Sequence, residues 1–323
     1  MRVPSWFPWR RTDPKRVNRG PRCLFVTHKW GDAAPGTGES VTVRHLIDTF
    51  AEWGGGDHRI LWTDECHDQG LNLVEQFRRV AKDCAPDFIV YTPIPAQSLM
   101  HLNIAPDVMQ SVGSASVTVL FDHAMEITRA LMQPYADVST LCVNIDGCRD
   151  PIGAKYLSLW PACTKRGAAR KDIPLSFLGS RSGYPDRVRA MQMLEANAIA
   201  AVVSGGRNES KIGFDEYFNV LDRSIVTLNF SKSLAGAPQL KARVIEAISS
   251  GCCLVEDANP VTPRYLEPGE EYIQYSALEE LPDLVRSLEK DGPRALAIGE
   301  RGRRAFEERL SASRFWQQIT SNL

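Results

Sequence analysis

The sequence predicts an α/β protein made of two doubly wound domains in tandem. Three observations predict it. Short apolar runs alternate with amphipathic helical patterns along most of the 323 residues, the order of a parallel sheet covered by helices on both faces. The alternation breaks once, between Ile145 and Lys171, where Gly, Pro, Arg and Lys dominate. The stretch QLKARVIEAISSGCCLVED at 239–257 reads as helix, stop and buried strand. In it Leu240, Val244, Ala247 and Ile248 form one apolar face of a 3.6-residue repeat, Gly251 ends the helix, and Cys252–Val255 runs apolar without alternation.

Taken in order, the first domain offers strands at Cys23–Val26, Arg59–Thr63, Phe88–Tyr91, Val117–Phe121 and Thr140–Ile145. Between them lie a polar glycine loop (HKWGDAAPGTGES), a helix with Val43, Leu46, Ile47 and Phe50 on one face, a helix with Leu73, Phe77, Val80 and Ala81, and a helical stretch from Met125 to Gln133. Tyr156–Trp160 is an apolar run inside the expected interdomain connection. The second domain offers strands at Leu175–Leu178, Ala200–Val203, Ile225–Phe230, Cys252–Val255 and Tyr272–Tyr275, with Leu281, Leu284, Val285 and Leu288 on the helix that follows. The tail from Pro293 to Leu323 is helical and charged, with Phe315 and Trp316 near its end. The expected division is 1–22, 23–165, 166–305 and 306–323, the last segment being free to cross back onto the first domain.

With 38 basic and 39 acidic residues, no global field draws the protein to nucleic acid. No apolar run reaches the ~20 residues of a membrane span, and none has the make-up of a signal peptide. The eight cysteines are scattered without a CxxC, which suggests a reducing cytoplasm and small core residues. Residues 1–22 carry seven Arg/Lys against one Asp, behind Trp6, Phe7 and Trp9. That pattern suits the surface of an anionic membrane, as at the inner face of a plasma membrane, and equally a disordered leader with no role.

Ligands of doubly wound sheets sit beyond the carboxyl ends of the strands. In the first domain the loop with Gly36 and Gly38 resembles a phosphate-binding loop, but Glu39 stands at the lysine position and Ala33 at the first glycine position. A carboxylate there repels phosphate, which disfavours an NTPase. The dinucleotide fingerprint also fails, because Val41 stands where its third glycine belongs. A glycine loop at the edge of a cleft and a plain surface turn both remain open. His28 and His123 follow strands on the same rim, Asp122 beside the latter; each histidine suits either a structural role or proton transfer to a substrate hydroxyl. No D-x-D stands at a strand end, so nothing requires a divalent metal.

In the second domain the strand ends carry Gly179, Ser180 and Arg181, then Gly205, Gly206 and Lys211, then Ser231, then Lys241 and Arg243. Arg187 and Arg189 open the first helix of this half. Cations at one rim favour a diphosphate-bearing ligand. Glu246, one turn past Arg243, can accept hydrogen bonds from sugar hydroxyls; the competing reading is an i,i+3 Arg243–Glu246 pair on a solvated face.

The pieces FLGSRSGYPDR (177–187), SGG (204–206), FDEYFNVLDRSIVTLNFS (214–231), QLKARVIEAISSGCCLVED (239–257) and YLEPGEEYIQY (265–275) together resemble group 1 glycosyltransferases, specifically the CgeB-like branch named after a spore-maturation protein. FDH at 121–123 and YLSLWPA at 156–162 extend the resemblance into the first half. It implies the GT-B architecture, two Rossmann-like domains facing across a cleft, and a hexosyltransferase-like enzyme. A nucleotide-diphosphate sugar would be co-substrate, with no cofactor and no metal, and a cell-surface or lipid-linked glycan the favoured acceptor. By resemblance Glu246 holds the nucleotide ribose; Ser180, Arg181, Lys241 and Arg243 neutralise the diphosphate; Gly205 and Gly206 let the backbone approach the base. His123 then stands where a sugar-contacting histidine belongs. The sequence departs from the family at Pro238, where many members carry a second glutamate. Retention of configuration is thereby left open, and an inverting enzyme would need a base, for which His123 and Asp122 are the candidates. A non-catalytic binding module and a sugar-nucleotide epimerase of the same fold are the alternatives.

Overall fold

A computed structural model of the chain describes residues 20–167, 169–204 and 212–323. Among these, eleven strands form two parallel sheets. The first contains β1 (Cys23–Thr27), β2 (His58–Trp62), β3 (Phe88–Tyr91), β4 (Ala115–Leu120), β5 (Leu141–Asn144) and β6 (Tyr156–Ser158), ordered β2-β1-β3-β4-β5-β6. The second contains β7 (Ile173–Leu178), β8 (Val202–Ser204), β9 (Ser224–Asn229), β10 (Cys253–Asp257) and β11 (Ile273–Tyr275), ordered β11-β10-β9-β7-β8. In each sheet the chain reverses direction of growth between its first and third strands. The loops there diverge and leave a crevice, the topological switch point.

The helices of the first half are α1 (Val41–Trp53), α2 (Thr63–Asp68), α3 (Leu73–Cys84), α4 (Pro106–Gln110) and α5 (Glu126–Val138). Those of the second are α6 (Pro185–Ala196), α7 (Phe214–Arg223), α8 (Ala242–Ser249), α9 (Leu281–Lys290), α10 (Gly292–Arg309) and α11 (Ala312–Thr320). The expected apolar stripes face inward: Val43, Leu46 and Phe50 of α1 pack under β1, β3 and β4, and Val244, Ala247 and Ile248 of α8 are fully covered. Gly251 adopts φ +69° after α8, a left-handed turn that glycine makes without strain and that returns the chain to β10.

The sequence and the structure part at four places. Tyr156–Ser158 is not connection but β6, parallel to β5; at three residues it is too short for a period to reveal. Thr63 opens α2 instead of ending a strand, because Asp64 turns inward to accept backbone N–H groups from Lys29, Trp30 and Glu65. The helix expected to stop at Gln133 runs through Pro134 to Val138. Burial of Tyr135 and Ala136 in the core outweighs the ~3 kcal/mol that an interior proline costs. The fourth is the tail: α10 stays on the second domain, so the crossing falls at Leu310–Ser311 instead of 306.

Beyond that crossing α11 packs on α1 of the first domain, and Phe315, Trp316 and Ile319 are fully buried among Phe25, Phe50 and Phe88. Trp316 Nε1 donates to Thr49 Oγ1 at 3.0 Å, so the indole keeps its hydrogen bond inside the core. Among the described residues no helix is long and apolar enough to cross a membrane. All eight cysteines are free thiols. The leader at 1–19 lies outside the described residues.

Trp316→Ala should destabilise the folded chain by about 3–5 kcal/mol, the range for truncating a fully buried aromatic. Trp316→Phe, which loses mainly the Thr49 hydrogen bond, should cost about 1–2 kcal/mol. Urea unfolding of both variants checks the ordering.

Candidate functional site

The switch point of the second sheet gathers three cations. Arg243, in the first turn of α8, lays its guanidinium on the backbone of Gly179 at the end of β7; a Cβ there would fall 2.3 Å from Arg243 Nη2. Only glycine permits that approach. Arg243 Nη1 donates to Asn229 Oδ1 at 3.0 Å, and the group stands 5.5 Å from the Phe177 ring centroid. Arg187, in the first turn of α6, donates from Nη1 to the Ser180 carbonyl at 2.7 Å and stacks 3.6 Å above the Tyr184 ring. Lys241 is the residue preceding α8, whose N-terminus no side chain caps.

These groups repel one another. Burial, reinforced by Arg243, pushes the Arg187 guanidinium down to about 10. Burial pushes Lys241 down to about 8, with Arg187 and Arg243 adding to the shift while Asp122 and Asp146 oppose it. The Nε–H groups of both Arg187 and Arg243 are buried with no protein partner among the described residues. Clustered cations with unspent donors, beside a helix N-terminus that no side chain caps, have the chemistry to hold a multivalent anion. Arg187 completes this cluster, although in sequence it is only a basic residue at a helix start, like Arg189.

Glu246 does not lie on a solvated face. It is 4 % exposed, accepts a hydrogen bond from Tyr217 Oη at 2.5 Å, and has His45 Nε2 of the first domain 3.9 Å away. Burial raises its pKa, and the Tyr217 hydroxyl and Arg243 pull it back down. His45 is neutral: burial, with Arg166 and Arg44, pushes it down to about 3. Its Nδ1 accepts from Thr164 N at 3.3 Å, which leaves the proton on Nε2, toward Glu246 and the Cys163 thiol. Neither His45 nor Tyr217 was singled out from sequence, since only the fold brings them to Glu246.

The first domain faces this rim through Asp122. It is exposed and adopts φ +51°, a left-handed backbone that costs a non-glycine residue roughly 1–3 kcal/mol and often marks a functional turn. Its neighbour His123 is fully buried. His123 Nε2 meets the Asp150 carbonyl at 3.3 Å, which fixes the proton there and leaves Nδ1 a bare lone pair without a partner. Burial lowers the His123 pKa, against the pull of Asp146. Gln239 joins the domains: its Nε2 donates to Asp122 Oδ1 at 3.2 Å and to Asp146 Oδ2 at 3.4 Å. Leu240 N also donates to the Asp146 carbonyl at 2.7 Å.

The remaining expected site residues scatter. Ser180 and Arg181 line the loop after β7, partly covered. Ser231 is turned inward, its N–H and hydroxyl both spent on Asp257 at 2.6 and 2.7 Å, so it does not present a donor to the rim. The Gly36–Gly38 loop is folded into two short 3-10 turns pinned by a Trp30–Glu39 bridge, and Glu39 pairs with Arg44 at 2.5 Å. It is a structured turn, not an open cradle. His28 is partly buried with Nδ1 unpartnered. Gly205, Gly206 and Lys211 lie outside the described residues. Among the described residues, no three His, Cys, Asp or Glu side chains cluster as metal ligands do.

Residues 163–321 match the model of a family described as glycosyl transferase-like. No curated protein matches the chain. Among solved structures, HepE of Anabaena in complex with UDP and glucose superposes with a TM-score of 0.61 at 12% identity, covering 93% of this chain and 98% of that one. AviGT4, a glycosyltransferase involved in avilamycin A biosynthesis, gives 0.59 at 16% identity over 94% and 96%. Sucrose-phosphate synthase of Thermosynechococcus elongatus gives 0.57 at 11% over 93% and 98%. The fold is thus GT-B: two parallel-sheet, Rossmann-like domains.

The Lys241 pKa lies below its ordinary value, so the folded state releases this proton before the unfolded chain does. Stability therefore rises with pH between about 8 and the ordinary lysine range. Anion binding has the opposite slope, because it needs the ammonium. The affinity for UDP, used as a probe anion, should fall as pH rises through about 8. Lys241→Met should weaken it about tenfold or more, in line with ~1.5–3 kcal/mol for a hydrogen bond to a charged group, and flatten the pH dependence. Calorimetry from pH 7 to 9.5 measures both.

Proposed function

We propose that the protein is a glycosyltransferase that moves a sugar from a nucleotide diphosphate to an acceptor hydroxyl. The observation that carries this reading is the Arg187–Lys241–Arg243 cluster at the switch point. As the anomeric C–O bond breaks, negative charge collects on the departing diphosphate, and fixed cations there stabilise it without reorganisation. The Gly179 backbone lets Arg243 lie close to that group. In this reading Glu246, one turn below, accepts ribose hydroxyls in exchange for the Tyr217 hydroxyl it now holds. UDP, bound by HepE, is the first nucleotide to try.

With Pro238 at the position of a second glutamate, Asp122 is an exposed carboxylate of the first domain that shares Gln239 with Lys241 and acts on its charge. In this reading it takes the proton of the attacking hydroxyl, and the product is inverted at the anomeric carbon. His123 supports the turn from behind, with Nδ1 available as a proton acceptor should the loop open. The resemblance to the CgeB-like branch, and a basic aromatic leader suited to an anionic membrane, favour a cytoplasmic enzyme peripheral to the inner membrane face. A cell-surface or lipid-linked glycan is the matching acceptor. In this reading the cations do the work that other transferases give to a metal.

The Pro238 position also motivates a second reading, a nucleotide-sugar-binding module without turnover. Titration of the purified chain with UDP, GDP and dTDP should show micromolar binding of at least one, and absence of binding to all three would sink both readings. Turnover over a donor panel separates them, and product NMR without acceptor would reveal an epimerase. Asp122→Asn should lower kcat at least a hundredfold with nucleotide affinity unchanged, and NMR of the wild-type product should show the inverted anomer.

A further inference from the structure

Gln239 is 1 % exposed, and its carboxamide is fully occupied. The Nε2 hydrogens go to Asp122 Oδ1 at 3.2 Å and Asp146 Oδ2 at 3.4 Å, while Oε1 accepts from Lys241 Nζ. This leaves no freedom in the sense of the amide, since its nitrogen must face carboxylates and its oxygen an ammonium. The backbone holds the side chain in place, through Gln239 N to the Ser231 carbonyl at 3.0 Å and Leu240 N to the Asp146 carbonyl at 2.7 Å. Asp146 is in turn fixed by Ala124 N and Cys148 N, each at 3.0 Å.

We propose that Gln239 is a positioning residue for Asp122. From the donor domain it orients the acceptor-side carboxylate and holds it apart from Lys241. A direct Lys241–Asp122 ion pair would neutralise the cation needed by the diphosphate and the carboxylate needed by the acceptor hydroxyl. A neutral amide between them satisfies both groups and leaves both charges available. Gln239 also senses the relative placement of the two domains, because its donors end on one and its acceptor on the other. This inference rests on the transferase reading, with Asp122 as the acceptor-side base.

Two substitutions separate the roles. Gln239→Met keeps length and bulk without hydrogen bonds; Gln239→Glu keeps an acceptor for Lys241 but sets a third carboxylate against Asp122 and Asp146. On the full chain, UDP affinity is read by calorimetry, turnover by UDP release from UDP-glucose, and folding by the thermal midpoint. Both variants should turn over at least tenfold more slowly at saturating UDP-glucose with the thermal midpoint unchanged, and both should bind UDP more weakly, because Lys241 then meets a carboxylate directly. Wild-type turnover in Gln239→Met overturns the inference; so does a parallel loss of turnover and affinity with a lowered midpoint, the mark of a merely structural residue. If Gln239→Met does not fold, Gln239→His, which retains a ring N–H, should turn over faster than Gln239→Glu, and equal rates overturn the inference. A wild-type chain that binds no nucleoside diphosphate overturns the transferase reading and this inference with it, whereas an active wild type beside an equally active Gln239→Met overturns this inference alone.

Discussion

The site depends on keeping buried positive charge available. Lys241 and Arg243 each have acids within reach, yet each meets a carboxamide first. Asn229 accepts from Arg243 and donates to Glu256 at 2.6 Å; Gln239 accepts from Lys241 and donates to Asp122 and Asp146. An amide between cation and acid satisfies both by hydrogen bonding while leaving their charges formally separate. Glu256 shows the cost of that arrangement: fully buried, it is pushed up to about 7 by burial, with Asp257 adding and Asn229, Asn259 and Thr262 opposing. The protein tolerates poorly solvated groups along one seam, and that seam coincides with the switch point of the second sheet.

The rest of the architecture holds the seam in register. The parallel β7–β9 pairing, with Ser176 against Thr227, brings the ends of the two strands side by side, and Arg243 in the first turn of α8 reaches both Gly179 and Asn229. The α8–Gly251–β10 unit is rigid because its inner face is covered on every side, and α10 lies across its back. From the other domain, His45 on α1 reaches Glu246, so the two halves touch at the carboxylate as well as at Gln239. Domain placement and the state of the site are thereby linked.

Much of this was legible in the sequence where period carried it. Val244, Ala247 and Ile248 and the run Cys252–Val255 are legible because burial on one face, or on two, imposes a pattern over many residues, whereas Leu240, expected on the same helical stripe, is buried but lies two residues before α8 begins. β6 had too few residues for any period, and α5 ran through Pro134 because core burial outweighed a local penalty. Lys241 and Arg243 were legible as basic residues at a strand end, but Arg187 was not distinguished from Arg189, although one is buried and the other exposed. Asp146 and Gln239 had no local signal, since their meaning lies in a contact across 93 residues. Ser231 misled for the complementary reason: a strand-end hydroxyl looks available until its partner, Asp257, is known.

The path of α11 has a consequence for how the chain is assembled. Phe315, Trp316 and Ile319 fill the centre of the half that is synthesised first, against Phe25, Phe50 and Phe88. Until α11 is synthesised that half lacks these side chains, and Phe25, Phe50 and Phe88 lack part of their apolar cover. Over that interval the amino-terminal half exposes apolar surface of the kind that drives aggregation, while the sheet of the later half needs nothing from α11 to close.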